Sequence, residues 1–340
     1  MLKNESDPIA IISSIRHFSS TISENLTHWL LALHKKYPER LCIIIVDNTT
    51  LEIPWEMFEL DREQYLGAIA MVVRWLPFRR FSHRYTMKVA DIPPLTGPVI
   101  AYLDSGLGAE ETAPEREALQ KLMVEYWPSL KKLELRMYQS LEQTGLIYVG
   151  CHGQFGTFVR TQARQKRSDQ LRSINLEMIY QSDEPRLTVF VNACESARII
   201  QNNDLDPSNF VEGFLTHCAA GYIGTLAEVD INTAADIAKH ILEAAMDAEG
   251  IQVAEILRRL RSGAVEQLKT AMRLSDDEQA KKNQLYNVID IFMYVYYGSP
   301  LARLRLLTAN QRGNEIEVPE ESGDRVNLRL PAANQKGEGA

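Results

Sequence analysis

Four near-continuous apolar runs limit the fold this chain can adopt. They are PVIAYLD (98–104), GLIYVGCHG (145–153), RLTVFVNACES (186–196) and GYIGTLAEV (221–229). A strand with one wet face alternates apolar and polar residues. These runs stay largely apolar at both parities, the pattern of strands buried on both faces. Helical stretches fall between them, after Pro114, at 174–181, at 209–220 and at 232–247. Strands rich in Val and Ile, separated by helices, predict a three-layer α/β sandwich: a mostly parallel central sheet with helices on both faces. LELRMYQ (133–139) reads as one more strand, and FMYVYYGSPLARLRLL (292–307) as the strand and turn that close the core. Ahead of this half, Ile12, Ile15, Leu26, Trp29, Leu30 and Leu33 fall near helical spacing over 9–36. LCIIIVD (41–47) reads as a buried strand, PWEMFEL (54–60) as a helix start at Pro54, and AIAMVVRWL (68–76) as a further apolar run. A basic, proline-bearing stretch over 77–95 connects the two halves. The expected organisation is an N-terminal flanking half (1–95), an α/β half (96–308) and a polar, Gly- and Pro-spotted flexible tail (309–340).

Composition narrows the function. With 340 residues, 45% of them hydrophobic, the chain can bury a sizeable core. A net charge of −8 argues against a protein that tracks nucleic-acid phosphates, so no direct nucleic-acid binding is expected. The four cysteines, Cys42, Cys151, Cys194 and Cys218, form no CxxC pair and no zinc-site spacing. Neither a disulfide framework nor a metal site is expected, and a reducing, cytoplasmic setting is. The N-terminus MLKNESDPIAII lacks the basic start and apolar run of a signal peptide. No apolar run approaches the roughly 18 residues of a membrane span, so no membrane role is expected. No GxGxxG or GxxxxGK[ST] follows a predicted strand, and no GxSxG elbow is present.

Sites in open parallel sheets collect at the carboxyl ends of the strands. Two of the predicted strands end in reactive residues, His152 and Cys194, 42 residues apart in the chain. A thiol with a pKa of about 8.5 is only slightly ionised at neutral pH. An imidazole within reach can take its proton and later pass one to a leaving amine. The oxyanion that forms needs fixed N–H donors, for which the amides of Gly153 and Cys194 are placed. Each residue alone carries little weight, since a buried Cys is a common core residue. Their joint position at one predicted edge carries more. Cys151 should point into packing, because side chains alternate along a strand. Cys218, His217 and His240 read as helix residues with structural roles. This chemistry needs no metal or organic cofactor.

CHGQF followed about 40 residues later by Asn192-Ala193-Cys194-Glu195-Ser196 resembles the caspase-like cysteine peptidases. A caspase nucleophile sits in Q-A-C-[RQG]-G, so the Ala-Cys core is shared and the flanks differ. The pattern is closer to the CHAT family, related to separases and caspases. IPWEMFEL (53–60), GYIGTLAEVDINTAADIA (221–238) and YYGSPLARLRL (296–306) resemble further segments of that family. Ala227 stands where the family often has Trp, and Ser299 where Asp is usual. The resemblance implies peptide-bond hydrolysis by Cys194 and His152, a protein substrate, and a regulated bacterial defence or signalling role. It also implies a separate activating or sensor protein. The acids Asp169, Glu195, Glu228 and Asp230 are candidates for a pocket that takes Arg or Lys of the substrate; their ordinary reading is solvated loop charge. The loop 159–173, with Arg160, Arg164, Lys166, Arg167 and Arg172, is a candidate for ordering or cleavage on activation. The alternative is a catalytically silent, caspase-like scaffold or binding module.

Overall fold

The computed structural model describes residues 7–21, 24–47, 53–76, 93–153, 178–182, 187–199, 210–274 and 277–310. Two helices open the chain, α1 (Pro8–Ser20) and α2 (Glu24–Lys36). Asp7 caps α1 by accepting the Ile9 N–H, and Pro8 occupies the first turn, where its missing N–H costs nothing. Strand β1 (Cys42–Val46) follows, then a short hairpin of β2 (Glu59–Asp61) and β3 (Gln64–Tyr65). A single-turn helix α3 (Leu66–Ile69) leads into β4 (Met71–Trp75). The helix expected from Pro54 is one 3-10 turn, Trp55–Met57, before the chain extends into β2.

The second half begins with β5 (Leu95–Gly97), β6 (Val99–Leu103), α4 (Ala113–Gln120) and β7 (Val124–Tyr126). Next come α5 (Leu130–Met137), β8 (Leu146–Gly150), β9 (Leu187–Asn192), α6 (Phe210–His217), β10 (Ala219–Thr225) and α7 (Ile231–Ala244). The chain closes with β11 (Ile251–Gln252), α8 (Val253–Leu274), α9 (Glu278–Met293), β12 (Tyr294–Gly298) and β13 (Arg303–Leu306). LELRMYQ is therefore part of helix α5 and not a strand. Ser129 caps it, and Leu130, Leu133 and Met137 bury at helical spacing while Leu135 stays 52% exposed. Helices α8 and α9 lie within 253–293, a stretch where no apolar run marks a helix and whose last two residues, Phe292 and Met293, were expected to begin the closing strand. The loop 159–173, Asp169, residues 174–177 of the stretch 174–181, most of the connection 77–95 and nearly all of 309–340 lie outside the described residues.

Eight strands form one sheet in the order β1-β4-β12-β10-β9-β8-β6-β7. From β7 to β10 every neighbour is parallel, and so are β1, β4 and β12; the two blocks meet at the antiparallel pair β10 and β12. Every residue of β8, β9, β10 and β12 is buried, so both faces of the centre are covered. Each fully buried Val, Ile, Leu or Phe there contributes about 1.5–3 kcal/mol. The first 95 residues supply β1 and β4 to this same sheet. Alternate residues of β4 serve two cores: Met71 and Val73 join the main cluster, and Val72 joins one with Leu30, Phe58 and Leu66. A buried ion pair adds to this join, with Arg74 donating to Glu56 at 2.9 and 2.6 Å. Gly67 permits the approach of α3, since a Cβ there would lie 2.9 Å from Glu56 Cβ and 3.0 Å from Arg261 Cδ.

Candidate active site

β8 and β9 run parallel and in register as far as Gly150 opposite Asn192, after which the Cys151 N–H donates to Asn192 O at 3.4 Å. Both strands end there, at the carboxyl edge of the parallel block. Beyond the last pair the two loops touch backbone to backbone. A Cβ built on Gly153 would lie 2.0 Å from Cys194 O and 2.7 Å from Cys194 N. No side chain fits that gap, so glycine is required at 153. The residue after His152 thus lies against Cys194, with His152 exposed and Cys194 half-buried. The Cys194 thiol faces Val229 O, with Sγ at 3.9 Å. Cys151 is buried in the core, as strand alternation predicts.

The turn that carries Cys194 is held from β10 and the loop after it. Glu195 N–H donates to Ala227 O at 3.2 Å and Ala197 N–H to Thr225 O at 2.8 Å. Thr225 Oγ1 donates to Ala193 O at 2.7 Å, and Tyr222 OH to Ser196 O at 2.8 Å. Ser196 Oγ donates to Val191 O at 2.9 Å and accepts the Thr225 N–H at 3.0 Å. Glu195 sits in the left-handed region with φ of 57°, a conformation that costs a non-glycine residue about 1–2 kcal/mol. The bonds to β10 hold this strained turn in place. Because its amide is taken by Ala227 O, Glu195 is not a donor to a developing oxyanion.

A polar network beneath the turn was not legible in the sequence. Asn192 is 8% exposed, and its Nδ2 donates to Glu115 Oε2 at 3.1 Å, Tyr148 OH at 3.2 Å and Ala234 O at 3.3 Å. Its Oδ1 accepts from Tyr294 OH at 2.5 Å. Tyr148 OH also donates to Glu115, whose carboxyl is pushed up by burial and drawn partly back by the Tyr148 and Asn192 hydrogen bonds. The available signal was an Asn and two Tyr within apolar strands, since buried polar groups are almost always hydrogen-bonded.

The candidate pocket acids are less concentrated than expected. Asp230 does not end a strand, since β10 stops at Thr225 and a short loop follows. It caps α7, with Oδ1 accepting the N–H groups of Asn232 and Thr233 at 3.0 and 3.2 Å. Glu195 pairs with Arg198 at 2.6 Å. Glu228 and Asp230 are exposed on the loop between β10 and α7. Burial pushes the Cys42 and Cys218 thiols up to about 11 and about 12, which suppresses their reactivity. His217 and His240 each bond a carbonyl one turn back in their own helices, Gly213 O and Asp236 O, both at 2.7 Å.

No protein-family model and no curated protein sequence matches this chain. Solved structures do match it. RgpB of Porphyromonas gingivalis, in a complex of its pro- and mature domains, superposes with a TM-score of 0.50 at 10% identity, covering 85% of this chain and 71% of that one. The Arg-specific cysteine proteinase gingipain R (RgpB) gives the same score and identity over 85% of this chain and 70% of its own. The fold is caspase-like. A Saccharomyces cerevisiae separase–securin complex is similar at a TM-score of 0.45 and 13% identity, over 74% of this chain and 15% of that one, too slight to argue from. At these identities the likeness is one of fold. Among the described residues no helix is long and apolar enough to cross a membrane.

Proposed function

We propose that the chain is a cysteine endopeptidase of the CHAT type, using Cys194 and His152 on a protein substrate. One observation supports the reading: the backbone at Gly153 meets the backbone at Cys194, where two parallel strands of a caspase-like sheet end side by side. His152 takes the Cys194 proton, and the thiolate attacks the scissile carbonyl carbon. The carbonyl oxygen becomes an oxyanion, held by the amides of Gly153 and Cys194. The C–N bond breaks as His152 gives the proton to the leaving amine, which leaves a thioester on Cys194. Water, deprotonated by His152, then releases the acid and restores the thiol. Glu228 and Asp230 are the exposed carboxylates of the pocket that takes a basic side chain. The enzyme is cytoplasmic and serves bacterial defence or signalling, switched on by a separate protein.

The test compares wild type, Cys194→Ala and His152→Ala on a quenched-peptide library and on proteins encoded beside this one, with an electrophilic thiol probe alongside. Wild type is expected to cleave and Cys194→Ala to be inert. His152→Ala should fall by about 10²–10⁴-fold. The probe should label Cys194 ahead of Cys42 and Cys218. Cleavage that survives Cys194→Ala overturns the reading. A wild type that neither cleaves nor takes up the probe at Cys194 favours the silent, caspase-like binding module.

A further inference from the structure

The fold places one hydroxyl where it controls the chain two residues before the nucleophile. Tyr294 is the first residue of β12 and is fully buried. It stands opposite Thr225 in the antiparallel pair of β10 and β12. These two partners reach consecutive residues of the Cys194 turn: Tyr294 OH donates to Asn192 Oδ1 at 2.5 Å, and Thr225 Oγ1 donates to Ala193 O at 2.7 Å. One turn earlier, on α9, the buried Asp290 accepts the Asp230 N–H through Oδ2 at 3.2 Å. Asp230 follows Val229, whose carbonyl faces the Cys194 thiol. The junction of α9 and β12 thus grips both the start of the turn and the loop opposite it.

The junction is itself anchored. Arg261 of α8, fully buried, donates through Nη2 to Tyr294 O at 2.5 Å. Its Nε and Nη1 are buried with no hydrogen-bond partner among the described residues. A buried guanidinium with orphaned donors is costly, and groups kept at such a cost concentrate where position matters. Its placement fixes the Tyr294 backbone from below while the Tyr294 ring packs edge-on to Phe190 of β9 at 6.2 Å.

We infer that Tyr294 is a positioning residue, acting through Asn192 to set the place and reactivity of Cys194; the inference rests on the peptidase reading above. Tyr294 touches no substrate. Its hydroxyl fixes the Asn192 side chain, Asn192 fixes the end of β9, and the end of β9 aims Cys194. Displacement of a reacting group by about 1 Å can cost roughly 100-fold in rate.

The experiment measures iodoacetamide alkylation of Cys194 against pH, by peptide mass spectrometry, in wild type, Tyr294→Phe and Tyr296→Phe. Tyr296 lies on the same strand and donates to Ser299 O at 3.0 Å, away from Asn192, so it controls for loss of a hydroxyl from β12. Tyr294→Phe is expected to move the Cys194 alkylation profile and to lower kcat by about 10–100-fold, with KM changed less than twofold. Tyr296→Phe should leave the profile where it is in wild type. Should Tyr294→Phe not fold, Asn192→Ala, which removes the oxygen that accepts from Tyr294, is read in the same way. A folded Tyr294→Phe with a wild-type profile and wild-type kcat overturns the inference. Alkylation is readable whether or not the chain cleaves peptides. Failure of the peptidase reading therefore shows as absent turnover in wild type, and failure of this inference as an unmoved profile in the variant.

Discussion

At the scale of single residues, the site depends on polar groups that the fold has taken out of water. Glu115 shows the consequence most directly. Burial raises its carboxyl pKa, and the hydrogen bonds from Tyr148 and Asn192 offset only part of that. A carboxyl whose pKa is higher folded than unfolded binds its proton more tightly in the folded state. Its contribution to stability is complete at acid pH, below the unfolded value, and is lost as pH rises through the folded value. Glu115→Gln removes the charge and keeps an oxygen to accept from Tyr148. The melting temperature of the variant, relative to wild type, is therefore expected to be higher at pH 8 than at pH 4. Scanning calorimetry at the two pH values decides it, and an equal offset at both would refute the assignment. The strand-end positions of His152 and Cys194 were legible because each follows a long apolar run, which a linear reading detects. Asn192 ends the same run as Cys194, yet its four partners lie on α4, β8, α7 and β12, and nothing local announces them.

Between elements, the decisive contact is the buried pair Glu56 and Arg74. Burial alone would raise the Glu56 carboxyl, but the Arg74 guanidinium, by charge and by its two hydrogen bonds, holds it below the usual range, with Arg261 adding to the effect. Glu56→Gln leaves two buried cations facing each other. A loss of about 3–5 kcal/mol is expected, the typical result of removing one partner from a buried pair. Urea unfolding measures it. The pair Arg16 and Glu59, at 2.5 Å, whose arginine is exposed, serves as the comparison, and Arg16→Ala should cost about 1 kcal/mol. Equal losses in the two variants would remove the buried pair from its role. The element misread in the sequence, α5, has a related lesson. Leu133, Leu135 and Met137 alternate with charged residues, which suits a strand, but Leu130, Leu133 and Met137 also share a helix face, and the packing chose that face.

For the molecule as a whole, the antiparallel pair β10 and β12 joins two parallel blocks into one sheet. Residues 96–308 alone would leave YVYYG of β12 as an open apolar edge and would strip α8 of its contacts with α3 and β4. They would also leave Arg261 without the Glu56 charge. Long, apolar, uncharged edges pair with other chains. This fragment is expected to aggregate or fail to melt cooperatively, as read by size-exclusion chromatography and calorimetry. A monomeric fragment with a cooperative transition would show that the N-terminal strands are dispensable.

The sequence by itself determined the class of fold, the strands that form the buried block, and the positions of His152 and Cys194 just past the ends of two of them. These follow from local facts: apolar runs at both parities, and reactive residues at strand ends. The tertiary structure decided the rest. It set the strand order, the reversal of direction at β12, the placing of α8 and α9, and the bond between Tyr294 and Asn192, residues 102 apart. Hydrogen-bond partners inside a core depend on which strands become neighbours, and that choice is made by burial summed over the whole chain rather than by any one segment.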